Sequence, residues 1–132
     1  MSRVLVLQED PDLGSLFRLV AESEGHQVTV VRTLDELALA QCLQLADLLL
    51  VELPWRDPEK RSLAAYRERI RDVAPNARAI LCTSSPHVTR TSSVIAGFEG
   101  YVAMPFDVDD VVAEMRRCLA GAPFPPVRCR LA

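Results

Sequence analysis

Asp47-Leu48-Leu49-Leu50-Val51-Glu52-Leu53-Pro54 is the stretch on which the reading of this chain turns. A short run with no polar residue between its ends reads as a strand buried on both faces of a sheet, as strands of parallel sheets are. Glu52 then stands at the carboxyl end of that strand. In α/β folds this end of the sheet is where ligands and reacting groups sit. The type of carboxylate matters there. An Asp could form an acyl phosphate in a tight metal site, and a Glu is too long for the same geometry.

Working outward, apolar runs alternate with amphipathic stretches. Strands are predicted over 4–7, 28–31, 47–52, 78–83 and 100–103. Asp10-Pro11 opens a first helix, with Asp10 as N-cap, Pro11 in the first turn and Leu13, Leu16, Phe17 and Val20 as its apolar face; Gly25 ends it with a left-handed cap. Thr33-Leu34-Asp35-Glu36 reads as a capping box starting a second helix that ends near Gln44. Pro54-Trp55-Arg56-Asp57-Pro58 is a loop by its prolines, followed by an Arg- and Glu-rich helix over 59–73. Topology calls for a helix over 88–96, but Val, Thr and Ser dominate there, so a short, irregular or mobile helix is predicted. Asp107 caps a last helix with Val108, Val111, Val112, Met115 and Leu119 as its apolar face. Domain 1–121 is followed by an extended tail, 122–132, containing Pro123, Pro125 and Pro126. Repeated βα units imply a doubly wound parallel sheet with helices on both faces, and the flavodoxin-like class carries the strand order 2-1-3-4-5.

The chain has 132 residues, one domain's worth, and 49% of them are apolar, enough for a core. A net charge of −3 argues against nucleic acid as a partner. No apolar stretch is long enough for a bilayer, and the first residues lack a signal-peptide core, which points to a cytoplasmic protein. Cys42, Cys82, Cys118 and Cys129 are widely spaced and read as reduced thiols; neither His26 nor His87 has the spacing of a zinc ligand. Arg61, Arg67, Arg69 and Arg71 alternate with Glu59, Glu68 and Asp72, the pattern of a solvated helix face rather than a DNA patch.

Four segments converge at one end of such a sheet: Gln8-Glu9-Asp10-Pro11, Glu52, Thr83-Ser84 and Met104-Pro105-Phe106-Asp107. With Gly97-Phe98-Glu99-Gly100-Tyr101-Val102-Ala103, they resemble the receiver domain of bacterial two-component response regulators over nearly the whole chain. The resemblance implies two acids after the first strand that hold Mg²⁺ and an Asp ending the third strand that accepts a phosphoryl group from a histidine kinase. It also implies a Thr or Ser and a Lys that grip the phosphoryl, and an aromatic that reports the change to the surface of the fourth helix, fifth strand and last helix. Thr83 matches the hydroxyl, Tyr101 the switch aromatic and Pro105 the proline that follows a cis bond in the family. Glu9 matches the second acid with a longer arm. Gln8 stands where the first acid belongs, Glu52 replaces the phosphoacceptor Asp, and Met104 replaces the Lys.

Each replacement has a physical consequence. Mg²⁺ leans on carboxylates in near-octahedral geometry, and Gln8 offers a neutral oxygen. Glu52 reaches about 1.5 Å, one C–C bond, further than Asp, into the space a metal or phosphoryl needs. Met104 removes the cation that would offset phosphoryl charge. Lys60, the sole lysine among 15 basic residues, lies on a different loop. If Glu9 and Glu52 come close, one carboxyl titrates late.

The reading is therefore an atypical receiver domain: a protein–protein signalling module that works without Mg²⁺-dependent phosphorylation and is not an enzyme. Its partner is a signalling protein, either a histidine kinase or an output protein, met through the surface of the fourth helix, fifth strand and last helix, where self-association is also expected. Glu52 reads either as an inert replacement or as a permanent phosphate mimic. Two alternatives stand beside this: a working phosphorelay receiver, and a small-molecule-binding module at the sheet edge.

Overall fold

Five short, largely apolar runs build the sheet: β1 (Arg3–Leu7), β2 (Gln27–Val31), β3 (Leu48–Glu52), β4 (Arg78–Thr83) and β5 (Gly100–Ala103). The structure is a computed structural model and describes residues 2–53 and 62–121. Residues 54–61, which include Trp55, Asp57, Glu59, Lys60 and Arg61, and residues 122–132, which include Cys129, lie outside the described residues.

The strand order is β2-β1-β3-β4-β5, with every pair parallel, as the sequence pattern and fold class implied. In β3 the residues Leu48 to Val51 are each at most 1% exposed, so the opening run is the centre of the sheet. Alternate residues serve opposite layers. Val4, Val6, Leu48, Leu50, Ile80 and Cys82 pack with Phe17, Val111 and Met115 of helices α1 (Pro11–Ser23) and α5 (Val108–Leu119). Leu5, Leu7, Leu49, Val51, Ala79 and Leu81 pack with Leu37, Tyr66, Ile70 and Ala96 of α2 (Leu34–Leu43), α3 (Leu63–Val73) and α4 (Arg90–Ala96). Each fully buried aliphatic side chain contributes about 1.5–3 kcal/mol, so these two layers carry the fold. A one-residue slip in any strand would exchange its layers, which is why the pattern specifies register.

The helix ends follow local chemistry. Asp10 Oδ1 accepts from the amides of Asp12 and Leu13, and Gly25 lies at φ +85 just past α1. Thr33 caps α2 by accepting from Glu36 N–H, but Glu36 reaches back to Arg32 N–H rather than to Thr33, so the expected capping box is offset by one residue. α4 runs from Arg90 to Ala96, 7 residues: it starts two residues later than predicted and is short, as its composition implied. The Ser and Thr residues that made it look weak close a reciprocal capping box between Thr89 and Ser92.

Three expectations need correction. Leu16 (38% exposed) and Val108 (48%) are not on buried faces; in α5 the buried positions are Val111, Glu114, Met115 and Cys118. Asp107 occupies the N-cap of α5 but makes no side-chain cap bond. Arg67 is not part of a solvated face: it is 2% exposed. It lies on the stripe Leu63–Tyr66–Ile70 that α3 turns toward the sheet. Its Nε donates to the Gly97 carbonyl (3.0 Å), and its Nη2 donates to both oxygens of Glu99 (3.2 Å each). Gly97 ends α4 at φ +100, a conformation that suits glycine, and so presents that carbonyl to α3.

Candidate functional site

The parallel registers set the ends of β2, β1 and β3 level: Leu7 faces Val31 on one side and Val51 on the other. Gln8, Glu9 and Glu52 therefore emerge together at the carboxyl edge. Glu52 pairs across β3–β4 with Cys82, one residue before Thr83, and Thr83 pairs with Ala103, one residue before Met104. The five positions singled out from sequence thus share one edge of the sheet.

Their side chains are already engaged. Gln8 is 2% exposed, and its Oε1 accepts from Asp10 N–H at 3.1 Å, which fixes the turn into α1. Glu52 Oε2 accepts from Glu9 N–H at 3.4 Å, while the Glu9 side chain itself is exposed. Thr83 is buried, and its Oγ1 accepts from Ser85 N–H at 3.0 Å, the local backbone role expected of a strand-end hydroxyl. Met104 N–H donates to the Thr83 carbonyl at 2.9 Å. The Met104 side chain packs against the apolar layer under α1 and α5, beside Phe106, whose ring stacks on Phe17 at 4.9 Å. The Met104–Pro105 bond is cis.

Electrostatically, the pocket is short of positive charge. Burial pushes the Glu52 carboxyl above its usual range; the Glu9 N–H works against this, and the charges of Glu9 and Asp10 reinforce it. The late-titrating carboxyl predicted for this pair is therefore Glu52, with desolvation ahead of the Glu9 charge as its cause. Among the described residues, no three His, Cys, Asp or Glu side chains come together as metal ligands would. Asp10 is occupied as a helix cap, and Gln8 is turned to the backbone. This donor set does not fit the Mg²⁺ seat that the resemblance implies.

Sequence reading missed several participants. Tyr66 donates its hydroxyl to the Glu52 carbonyl at 2.6 Å and so ties α3 to the end of β3. Arg32 and Arg69 line a cleft beside Glu52. Glu114, 8% exposed on α5, accepts from Tyr101 N–H (2.9 Å) and from Arg117 Nη2 (3.0 Å), and Arg90 approaches its other oxygen at 3.3 Å. Tyr101 is half-buried, donates its hydroxyl to the Val88 carbonyl at 3.1 Å and lies under the Arg90 guanidinium. The signal for Glu114 was present in the sequence: it falls on the same helical stripe as Val111, Met115 and Cys118. The thiols of Cys82 and Cys118 are raised by burial, the latter to about 11, which suits unreactive core cysteines.

No protein-family model matches the chain. The transcriptional regulatory protein CpxR of Klebsiella pneumoniae is 27% identical over 119 residues, covering 90% of this chain and 50% of that protein. The chain thus spans half the length of that relative. A response regulator from Thermotoga maritima superposes with a TM-score of 0.74 at 18% identity, covering 91% of this chain and 98% of that one. A response regulator receiver domain protein (CheY-like) from Methanospirillum hungatei JF-1 gives 0.71 at 22% identity, covering 92% and 95%. The chain has the fold of response-regulator receiver domains. Among the described residues, no helix is long and apolar enough to cross a membrane.

Proposed function

We propose that this chain is an atypical receiver: a cytoplasmic protein–protein signalling module, not an enzyme, that works without Mg²⁺-dependent phosphorylation. Glu52 takes the phosphoacceptor position. The observation that carries the reading is the state of the pocket: Glu52 is turned onto the Glu9 amide, Gln8 is closed into the α1 turn and Met104 is packed into an apolar layer. An in-line phosphoryl transfer needs a short acid, a metal between two carboxylates and a cation opposite. Each of those three requirements is answered here by a group of another chemistry.

The partner is a signalling protein, a histidine kinase or an output protein, and no nucleic acid. It meets the surface of α4, β5 and α5, where Ile95 is 80% exposed and Val94 and Val108 are exposed beside it. A second copy of the chain can use the same surface. The test is incubation with Mg²⁺ and acetyl phosphate, followed by intact mass. The expected result is unmodified protein. A stoichiometric phosphoryl adduct overturns the reading and makes the chain a working phosphorelay receiver.

A further inference from the structure

Beside Glu52, on the side of α2 and α3, lies a cleft of about 680 Å³. That is the size range of small-molecule sites, and the cleft opens at the carboxyl ends of β1 and β3, the point where the strand order reverses and where doubly wound sheets take ligands. Glu9 and Glu52 line it but Thr83, Gln8 and Met104 do not, so it adjoins the pocket that resembles a phosphorylation site and extends from it toward α2 and α3. Leu7 and Leu34 give it an apolar part, and Tyr66 stands on its α3 side.

Its charges are divided. Arg32 ends the turn into α2, and its backbone N–H is held by Glu36 Oε2 at 2.7 Å. Arg69 comes from α3, one helical turn beyond Tyr66. Both arginines are exposed, and neither guanidinium has an ion-pair partner among the described residues. Other arginines of the chain, Arg18, Arg67, Arg71, Arg90, Arg116 and Arg117, do have one. The positive end of the α2 dipole adds to Arg32. Against these cations stand three carboxylates that also line the cleft: Glu52, Glu9 and, in the first turn of α2, Asp35. The level strand ends place the backbones of Arg32 and Glu52 two strand spacings apart, roughly 10 Å. A simple anion would meet the carboxylates unpaired, and a simple cation would meet the guanidiniums. A molecule bearing both kinds of group satisfies the whole lining.

We propose that this cleft binds a small bipolar molecule, with a phosphate or carboxylate held by Arg32 and Arg69 and a hydrogen-bond-donating amine or amidine group held by Glu52 and Glu9. Such a ligand would bridge α2 and α3 across the end of the sheet. The proposal goes beyond the signalling role above and concerns the unmodified Glu52 carboxylate.

The test is a backbone-amide NMR titration of the full chain with two bipolar probes, AMP and 4-guanidinobenzoate, up to 10 mM. Adenosine, inorganic phosphate and benzoate are the single-ended controls. The expected result is a saturable shift at Glu9, Leu34, Asp35 and Glu52 with at least one bipolar probe, at least tenfold tighter than its controls. Because AMP carries the phosphate and 4-guanidinobenzoate the carboxylate, the two arms separate the two anion sources. In the Arg32→Gln/Arg69→Gln double variant the affinity should fall at least tenfold while thermal unfolding is unchanged, since both side chains are exposed. No saturable shift with either bipolar probe overturns the proposal. So does equal binding of the single-ended controls, or binding that survives the double variant.

Discussion

Two buried or half-buried glutamates of this domain live under opposite rules. Glu114 on α5 is met by the Tyr101 amide and by the guanidiniums of Arg117 and Arg90. Burial alone would raise its carboxyl; the Arg117 hydrogen bond, the Tyr101 N–H and the Arg90 charge outweigh that and hold it below the usual carboxylate range. Glu99 repeats the arrangement, between the Ala79 amide (2.8 Å) and the buried Arg67. Glu52, at the end of β3, has one long amide contact and no ion-pair partner among the described residues, and it titrates high. Glu114 and Glu99, beside β5, are each met by guanidinium groups, whereas Glu52 at the carboxyl end of the sheet is surrounded by the charges of Glu9 and Asp10. That difference supports the proposed reading, in which the sheet edge works without phosphoryl chemistry.

The largest test of the comparison falls on the compensated side. Arg67→Ala removes a guanidinium that joins α3 to the end of α4 and the start of β5, and it leaves Glu99 beside the Ala79 amide without its cation. Glu99 is 35% exposed and its remaining charge is partly solvated, so the cost, about 3 kcal/mol, comes from the hydrogen bonds and packing of the buried Arg67 side chain. Arg69→Ala, two residues on and exposed, should change stability by less than about 0.5 kcal/mol. Urea unfolding of both variants separates them, and near-equal costs would mean that Arg67 is an ordinary surface arginine.

A smaller effect is expected from Glu114→Gln. The amide keeps an oxygen for Tyr101 N–H but removes the charge that faces Arg90 and Arg117, a loss of about 2 kcal/mol at neutral pH, the scale of charge-assisted hydrogen bonds. The sign follows from the depressed carboxyl. Its contribution is present above the unfolded carboxylate value and is lost as pH falls through the lower folded value. The gap between wild type and variant should therefore be widest near neutrality and close in acid. A gap independent of pH would show that shape, not charge, is what Glu114 supplies.

How far the sequence alone reached follows the same division. All five strands and the sheet-edge positions of Gln8, Glu9, Glu52, Thr83 and Met104 were legible, because burial on two faces and helix caps leave a local pattern, while the strand order followed from the fold class. Arg67 and Glu114 were misread or missed because residue type was taken as a proxy for exposure. Both sit on apolar helical stripes, and their partners, Gly97 and Glu99 for one and Tyr101 and Arg90 for the other, are brought in by the fold. The cleft with Arg32 and Arg69 was not legible at all, since it depends on how two helices diverge over strand ends far apart in sequence. The Ser- and Thr-rich composition of α4 did signal a short helix, and what it hid was the capping role of Thr89 and Ser92.

The same isosteric change at the other glutamate should carry the opposite sign. Glu52→Gln keeps an acceptor for the Glu9 amide and removes a charge that burial, Glu9 and Asp10 all oppose. The folded-state carboxyl is raised, so the native domain holds its proton longer than the unfolded chain does. Stability is then lost as pH rises from the unfolded carboxylate value through the folded one, and the charged form is a cost at neutral pH. Because Glu52 is only half-buried, water screens much of that cost. The expected gain is therefore a melting temperature higher by about 1–2 °C at pH 7, vanishing below pH 4 where wild type is itself neutral. Scanning calorimetry of the two Gln variants across that range gives two curves that diverge from wild type in opposite directions as pH rises. If Glu52→Gln instead falls below wild type alongside Glu114→Gln, then a cation holds Glu52 in solution, and the sheet edge is compensated after all.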